Sequence, residues 1–263
     1  MERLGLSIDR PWAAYPAAWW AAMRQWGVFE TEIACKGQLA QPQAVASLGT
    51  RLHGEGLAVW SVHLPFGPAW DVSADPRDGR LQRLEDHLTV AAELGAHCVV
   101  LHPSHTPLTA SRSACVRFSR AAIAHLGQRA RTLGLALAVE NLPRSYLAGT
   151  VAELAELLPT GVGVCLDVNH PMQETAVDFA RRLAPKVVTV HLSDSDGQED
   201  RHWLPGEGCV DFGAVRSTLL RAGYEGPWML EIHGRRAGGG FTPKEAVQAL
   251  LGQFGRDNQA ALS

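Results

Sequence analysis

The chain has 263 residues, a formal net charge of -3, and 46% hydrophobic against 19% charged residues. That length suits one large α/β barrel or two small domains, and the charge balance argues against a nucleic-acid partner. It holds no run of about 18 apolar residues to span a membrane, and the stretch MERLGLSIDR is too polar for a signal peptide; five scattered cysteines without a C-x-x-C pair read as reduced thiols of a cytoplasmic protein.

Short apolar runs alternate with longer amphipathic ones along the whole chain. The strand candidates are RLGLSID (3–9), VFETEIA (28–34), LAVWSVHL (57–64), HCVVLHPS (97–104), LALAVENL (135–142), VGVCLDVNH (162–170), VVTVHLSDS (187–195) and PWMLEIHG (227–234). Most are β-branched and apolar over four to six residues, as strands covered on both faces should be. Helical patterns lie between them, at 16–27, 77–95, 113–134 and 151–159 among others. Gly27, Gly56, Gly95, Gly134 and Gly223 stand where helix C-caps belong, and Thr150 with Glu153 and Thr242 with Glu245 have the capping-box spacing. Repeated βα units predict a (β/α)8 TIM barrel, read as a single domain over 1–263, with a doubly wound open sheet as the alternative.

In such a barrel the C-terminal ends of the strands converge on one face, where an active site is built. The third strand ends at His63, the fourth at His102, the fifth at Glu140, the sixth at Asp167 and His170, the seventh at His191 and the eighth at Glu231. A lone histidine at a strand end is more often a hydrogen-bonded structural residue than a ligand. Seven such residues converging in a dry interior are another matter, because unpaired buried charge is costly; they call for cations. The longest connection, after the seventh strand, contains EDRHWLPGEG (199–208). Asp200 and His202 are two apart, so an extended segment sets both on one side, and Pro205, Gly206 and Gly208 would fold the loop back over the mouth. A mixed histidine and carboxylate set without cysteine suits Zn, Mn, Fe or Co ions better than Mg or Ca. Nine candidate ligands are too many for one ion and enough for two or three.

These residues resemble the xylose isomerase-like TIM-barrel superfamily over nearly the whole chain. Glu140, Asp167, His191 and Glu231 resemble the single metal site of ketose epimerases and related isomerases. That resemblance implies one to three divalent ions per chain. It implies a small-molecule substrate (a sugar, sugar phosphate or polyol-derived ketone) and Glu140 with Glu231 as an acid–base pair acting on a metal-bound enediolate. His63, His102, His170, Asp200 and His202 extend the set to one similar to the three-zinc site of endonuclease IV, which implies a phosphodiesterase as the alternative. A non-catalytic barrel that binds metal is a third class. Phe66 and Trp70 are candidate covers for the apolar face of a substrate, and Arg201 a candidate substrate contact. The loops around the mouth hold few basic residues: Arg77, Arg80, Arg112, Arg144, Arg235 and Arg236 are the only ones that could contribute, several of them at helix starts as solvated charges, so tight binding of duplex DNA is not expected. Barrels of this superfamily often pair, which leaves a homodimer open.

Overall fold

The computed structural model describes residues 2–75 and 79–260, with side chains to residue 255. Eight parallel strands, β1 (Leu4–Ile8), β2 (Val28–Ala34), β3 (Ala58–His63), β4 (Cys98–Leu101), β5 (Ala136–Glu140), β6 (Gly163–Asp167), β7 (Val187–His191) and β8 (Trp228–Leu230), each lead into one helix. The helices are α1 (Ala17–Gln25), α2 (Pro42–Gly54), α3 (Arg80–Glu93), α4 (Arg112–Thr132), α5 (Val151–Leu157), α6 (Ala176–Leu183), α7 (Phe212–Arg221) and α8 (Pro243–Ala260). Strands pair in sequence order, β1 also pairs with β8, and the ring closes just beyond β7, where Leu192 bridges Leu230. This is the expected (β/α)8 barrel, not an open doubly wound sheet.

Each strand falls inside its expected run, and the runs extend past the strand ends because their last residues turn into loops. The five glycines expected at helix ends all take positive φ, between 70° and 86°, a conformation that costs other residues strain. Thr242 and Glu245 form the reciprocal capping box. Thr150 accepts from the Glu153 N–H, the one-way half of that motif. A third capping box, Thr175 with Asp178, has aspartate where the expected pattern has glutamate.

Alternation along the strands sorts the interior. Val99, Leu101, Leu137, Val139, Val164 and Leu166 face the helices and belong to the main core. Val100, Ala138 and Cys165 form a separate small cluster inside the barrel. Above it sit the polar groups, so the barrel is plugged by apolar side chains below and lined with titratable ones at its C-terminal mouth. All five cysteines are free thiols, Cys209 alone exposed. Among the described residues no helix is long and apolar enough to cross a membrane.

Candidate metal centre

All nine predicted ligands converge at the mouth. Their ring nitrogens and carboxylate oxygens gather in overlapping groups, including Glu140, Asp167, His191 and Glu231, with ligand atoms within 4.8 Å of one another. At the centre, His191 Nδ1 lies 2.9 Å from Glu231 Oε2, 3.1 Å from Glu140 Oε1 and 3.8 Å from Asp167 Oδ2. Glu140 Oε2 meets His63 Nε2 at 3.1 Å and His102 Nε2 at 3.0 Å, so this carboxylate joins the inner residues to the outer ones. On the other side, His170 Nε2 faces Asp167 Oδ2 at 3.8 Å and Asp200 Oδ2 at 3.7 Å, and His202 Nε2 meets Asp200 Oδ1 at 2.9 Å.

Strand geometry explains the inner set. Asp167 and His191 are register partners on β6 and β7, and both end their strands. Asn141 clamps that end: its side chain donates to the Asp167 carbonyl at 2.8 Å and accepts from the Asp167 N–H at 2.9 Å. The 192–211 connection is anchored by buried Asp194, whose carboxylate accepts from the N–H groups of Ser195, Gly206 and Val210. Trp203 exchanges two backbone hydrogen bonds with Asp194, which carries His202 over the mouth. Gly206 has φ 91°, as the folded-back loop requires.

The residues fit a divalent ion on two independent grounds. Asp167 Oδ2 is buried and has no hydrogen-bond partner, while Oδ1 accepts from the Asn169 N–H at 2.6 Å. A buried oxygen left unpaired is rare and costly, and a cation in the midst of His170 and His191 would satisfy it. The histidines are also pre-set. His63, His170 and His202 place Nδ1 on the carbonyl oxygens of Leu64, Asn141 and Glu231, at 2.9, 2.8 and 3.0 Å. Each then donates outward through Nδ1 and turns Nε2 inward, the orientation that metal-ligating histidines adopt once the Nε2 proton is lost to the cation.

The electrostatics match. Burial opposes ionisation of Glu140 and Glu231, yet the surrounding histidines, His191 foremost, hold both well below the usual carboxylate range. Burial raises Asp167 to about 6 despite the pull of His170 and His202. Burial would lower His202, but Glu231, Asp200 and Asp167 outweigh it and lift it to about 10. Protons on histidines thus balance the carboxylate charge, and a metal ion can replace them.

A cavity of about 180 Å³ opens above this centre, lined among others by Phe66, His105, Tyr146 and His233. Phe66 stacks on His102 at 4.6 Å and remains 40% exposed, so it offers an apolar face to whatever enters. Two predicted contacts lie elsewhere. Trp70 packs edge-on against His87 and under Arg83, because the short turn Pro68–Trp70 swings it back onto α3. Arg201 is tied to Asp196 and Glu199 at 2.9 and 2.8 Å, lies over Trp203 and is not among the residues lining the cavity. Sequence reasoning missed His233, whose ring lies tilted against that of His202 with centroids 4.3 Å apart, and Asn169, which donates to Asp200. It also missed Glu32, fully buried beneath His191. Glu32 was detectable: a carboxylate in the middle of a strand covered on both faces has to point at polar company.

The few arginines that could have reached the mouth do not form a basic ring there, among the described residues. Arg80 is bound to the Asp71 carbonyl, Arg112 to Glu153 at 2.6 Å and Arg235 to Glu245 at 3.1 Å. Arg236 contacts Glu207 and Trp203, and exposed Arg144 is not among the cavity's lining. Arg77 lies outside the described residues.

Similarity to known proteins agrees with this architecture. Residues 22–254 match the xylose isomerase-like TIM barrel family. A ketose 3-epimerase of Arthrobacter globiformis is 31% identical over 201 residues, covering 71% of this chain and 68% of the relative. An uncharacterised protein of Methanocaldococcus jannaschii is 26% identical over 206 residues, covering 72% and 69%. Among solved structures, an L-ribulose 3-epimerase superposes with a TM-score of 0.79 at 19% identity, covering 99% of this chain and 97% of its own. A D-tagatose 3-epimerase-like protein superposes at 0.78 and 20% identity, covering 98% and 99%. At those identities the structures speak for the fold alone. The chain belongs to the xylose isomerase-like TIM barrel family.

Proposed function

We propose that the protein is a metal-dependent isomerase or epimerase of a small sugar or related ketone. The observation that carries this reading is the juxtaposition of Glu140, Asp167, His191 and Glu231 beneath a small cavity, with Asp167 Oδ2 buried and unpartnered. The likeness to a ketose 3-epimerase at 31% identity supports it. A divalent ion held by those four residues would supply positive charge where an enediolate develops negative charge. Glu140 and Glu231 reach His191 Nδ1 at 3.1 and 2.9 Å and are both held in the ionised form, so either can act as a base at neutral pH. One carboxylate removes the proton from the carbon beside the carbonyl and becomes the acid. The other, ionised at rest, first takes a proton from solvent. It then delivers that proton to the opposite face of the same carbon, giving the epimer, or to the former carbonyl carbon, giving the aldose, and the first carboxyl returns its proton to solvent. Phe66 packs against the carbon skeleton, and the narrow cavity limits the water that could intercept the intermediate.

The test is hydrogen exchange. Protein loaded with Mn²⁺, Co²⁺ or Zn²⁺ is incubated in D₂O with ketoses and their phosphates, and deuterium at the carbon beside the carbonyl is followed by NMR. Incorporation with conversion to an epimer or aldose is expected. A second reading, an endonuclease IV-like phosphodiesterase, draws on one observation: His63, His102, His170, Asp200 and His202 all surround the same cavity. Metal-dependent nicking at an abasic site, without exchange on any sugar, would move the assignment there.

A further inference from the structure

Beneath the candidate ligands lies a buried hydrogen-bonded floor that none of the reaction chemistry uses. Ser7, Glu32 and Ser61 are lateral neighbours on β1, β2 and β3, with Ser7 in register with Glu32 and Glu32 with Ser61. All three point into the barrel. Glu32 is 0% exposed, and its carboxyl group accepts three hydrogen bonds. Ser7 Oγ donates to Oε1 at 3.1 Å, Ser61 Oγ to Oε2 at 2.8 Å, and His191 Nε2 to Oε2 at 3.0 Å. A carboxyl group at the centre of a barrel is expensive to bury, and replacing it with an apolar side chain would be the cheaper solution for stability alone.

We infer that Glu32 is a positioning residue, which holds His191 in the tautomer that turns the Nδ1 lone pair toward Glu140, Asp167 and Glu231. The inference rests on the metal-dependent reading of the site. His191 has two ring nitrogens and carboxylates on both sides. A proton on Nδ1 alone would leave the Nε2 lone pair against Glu32 Oε2 and block the nitrogen that faces the other ligands. With the proton on Nε2, the ring donates to Glu32 and offers Nδ1 to a cation. Ser7 and Ser61 fix the rotamer of Glu32, so strands β1 to β3 transmit their register to a ligand on β7. Three other candidate histidines, His63, His170 and His202, use backbone carbonyls for this purpose. His191 instead turns Nε2 to the Glu32 side chain.

The test measures metal uptake and tautomer, not turnover. In Zn²⁺-loaded wild-type protein, long-range ¹H–¹⁵N NMR should show the His191 proton on Nε2 and none on Nδ1, with His191→Asn used only to assign the resonance. Glu32→Gln keeps the shape but can present an amide N–H to Nε2, and it should weaken Zn²⁺ and Mn²⁺ binding by about 10–100-fold with the circular dichroism spectrum unchanged. Ser61→Ala should weaken binding in the same direction by less. A folded Glu32→Gln protein with affinity within about threefold of wild type, against the loss expected for such a partner, overturns the inference and leaves the proposed function standing. So does a His191 proton found on Nδ1 in the wild-type complex, a result that stands even if Glu32→Gln does not fold. A wild-type chain that takes up neither Zn²⁺ nor Mn²⁺ overturns the functional reading itself, and this inference with it.

Discussion

Asp200 Oδ1 and His202 Nε2 meet at 2.9 Å with one residue between them in the chain. Extended backbone would place both on one side, but His202 instead takes φ 48°, in the left-handed region. Asn169 holds this conformation. Its Oδ1 accepts from the N–H groups of Arg201 and His202, both at 3.1 Å, while Nδ2 donates to Asp200. Left-handed backbone on a non-glycine residue is strained and persists where its surroundings enforce it. The strain here sits on a candidate ligand, and the residue enforcing it comes from the loop after β6.

Inner and outer ligands should separate by mutation. Glu231→Gln removes a negative charge and a base while keeping the shape, so turnover should fall by at least about 10²-fold with the fold retained. His202→Ala removes one nitrogen from the outer group. It should lower the number of ions retained per chain, counted by elemental mass spectrometry, and reduce sugar turnover less than Glu231→Gln does. Intact activity in Glu231→Gln beside a dead His202→Ala would reverse the two assignments.

Metal binding should strengthen as pH rises. His202 is lifted to about 10 in the folded chain, by carboxylates that outweigh its burial. Its contribution to metal-free stability is therefore complete below its unfolded value near 6.5 and is lost as pH climbs toward 10. Asp167, raised by burial to about 6, works in the same direction: its contribution is complete below about 4 and is lost through pH 6. A cation replaces those protons, so its stabilising effect grows where theirs is lost. Differential scanning fluorimetry with and without Mn²⁺ should show a Tm gain larger at pH 9 than at pH 6, and weakly buffered titrations should show proton release on binding. A gain that shrinks as pH rises would contradict this account.

Gly208 should tolerate no side chain. A Cβ there would collide with the Ser195 carbonyl oxygen and the Asp194 carboxylate, both fixed by the loop's own hydrogen bonds. Overpacking of this kind costs about 1–3 kcal/mol, which at this chain length lowers Tm by roughly 2–4 °C per kcal/mol. Gly208→Ala should show that loss together with weaker retention of the ions bound through Asp200 and His202, while ions held by the inner four stay. An unchanged Tm would mean that the loop is not anchored through Asp194.

The barrel was readable because its physics is local. Apolar runs of four to six residues, positive-φ glycines after helices and capping threonines each announce themselves within a few positions. The mouth was readable because strand ends share a face, which brought His63, His102, Glu140, Asp167, His191 and Glu231 together without any contact being known. Trp70 and Arg201 show where that logic stops. Both lie in loops, where a short turn and a nearby acidic pair decide the side chain's direction, and neither leaves a periodic signal. Asn169 and Asn141 were hidden for a related reason. Amides that satisfy backbone groups across two loops look in sequence like ordinary turn residues. Glu32 could have been found, since alternation along VFETEIA places its carboxyl group in the same interior as His191.

The protein should not incise DNA at abasic sites. Phosphate contacts supply most of the non-specific affinity for duplex DNA, and each needs a lysine or arginine free to make it. The residues lining the cavity above the ligands include neither. Lys36 approaches the mouth but is paired with Asp9 at 2.9 Å. Arg112 and Arg235 are held by Glu153 and Glu245 on the helices α5 and α8, and the Arg201 guanidinium is held by Asp196 and Glu199. The acidic partners cancel the field that these arginines would otherwise project, and local field decides association more than net charge does. The assay is an oligonucleotide with one abasic site, supplied with Zn²⁺ or Mn²⁺ at physiological salt, beside the ketose panel. No nicking is expected at protein concentrations that turn over sugar. Nicking by the wild type that disappears in Glu231→Gln would show that the metal centre, not a contaminating nuclease, cuts the strand, and the phosphodiesterase reading would then replace the epimerase.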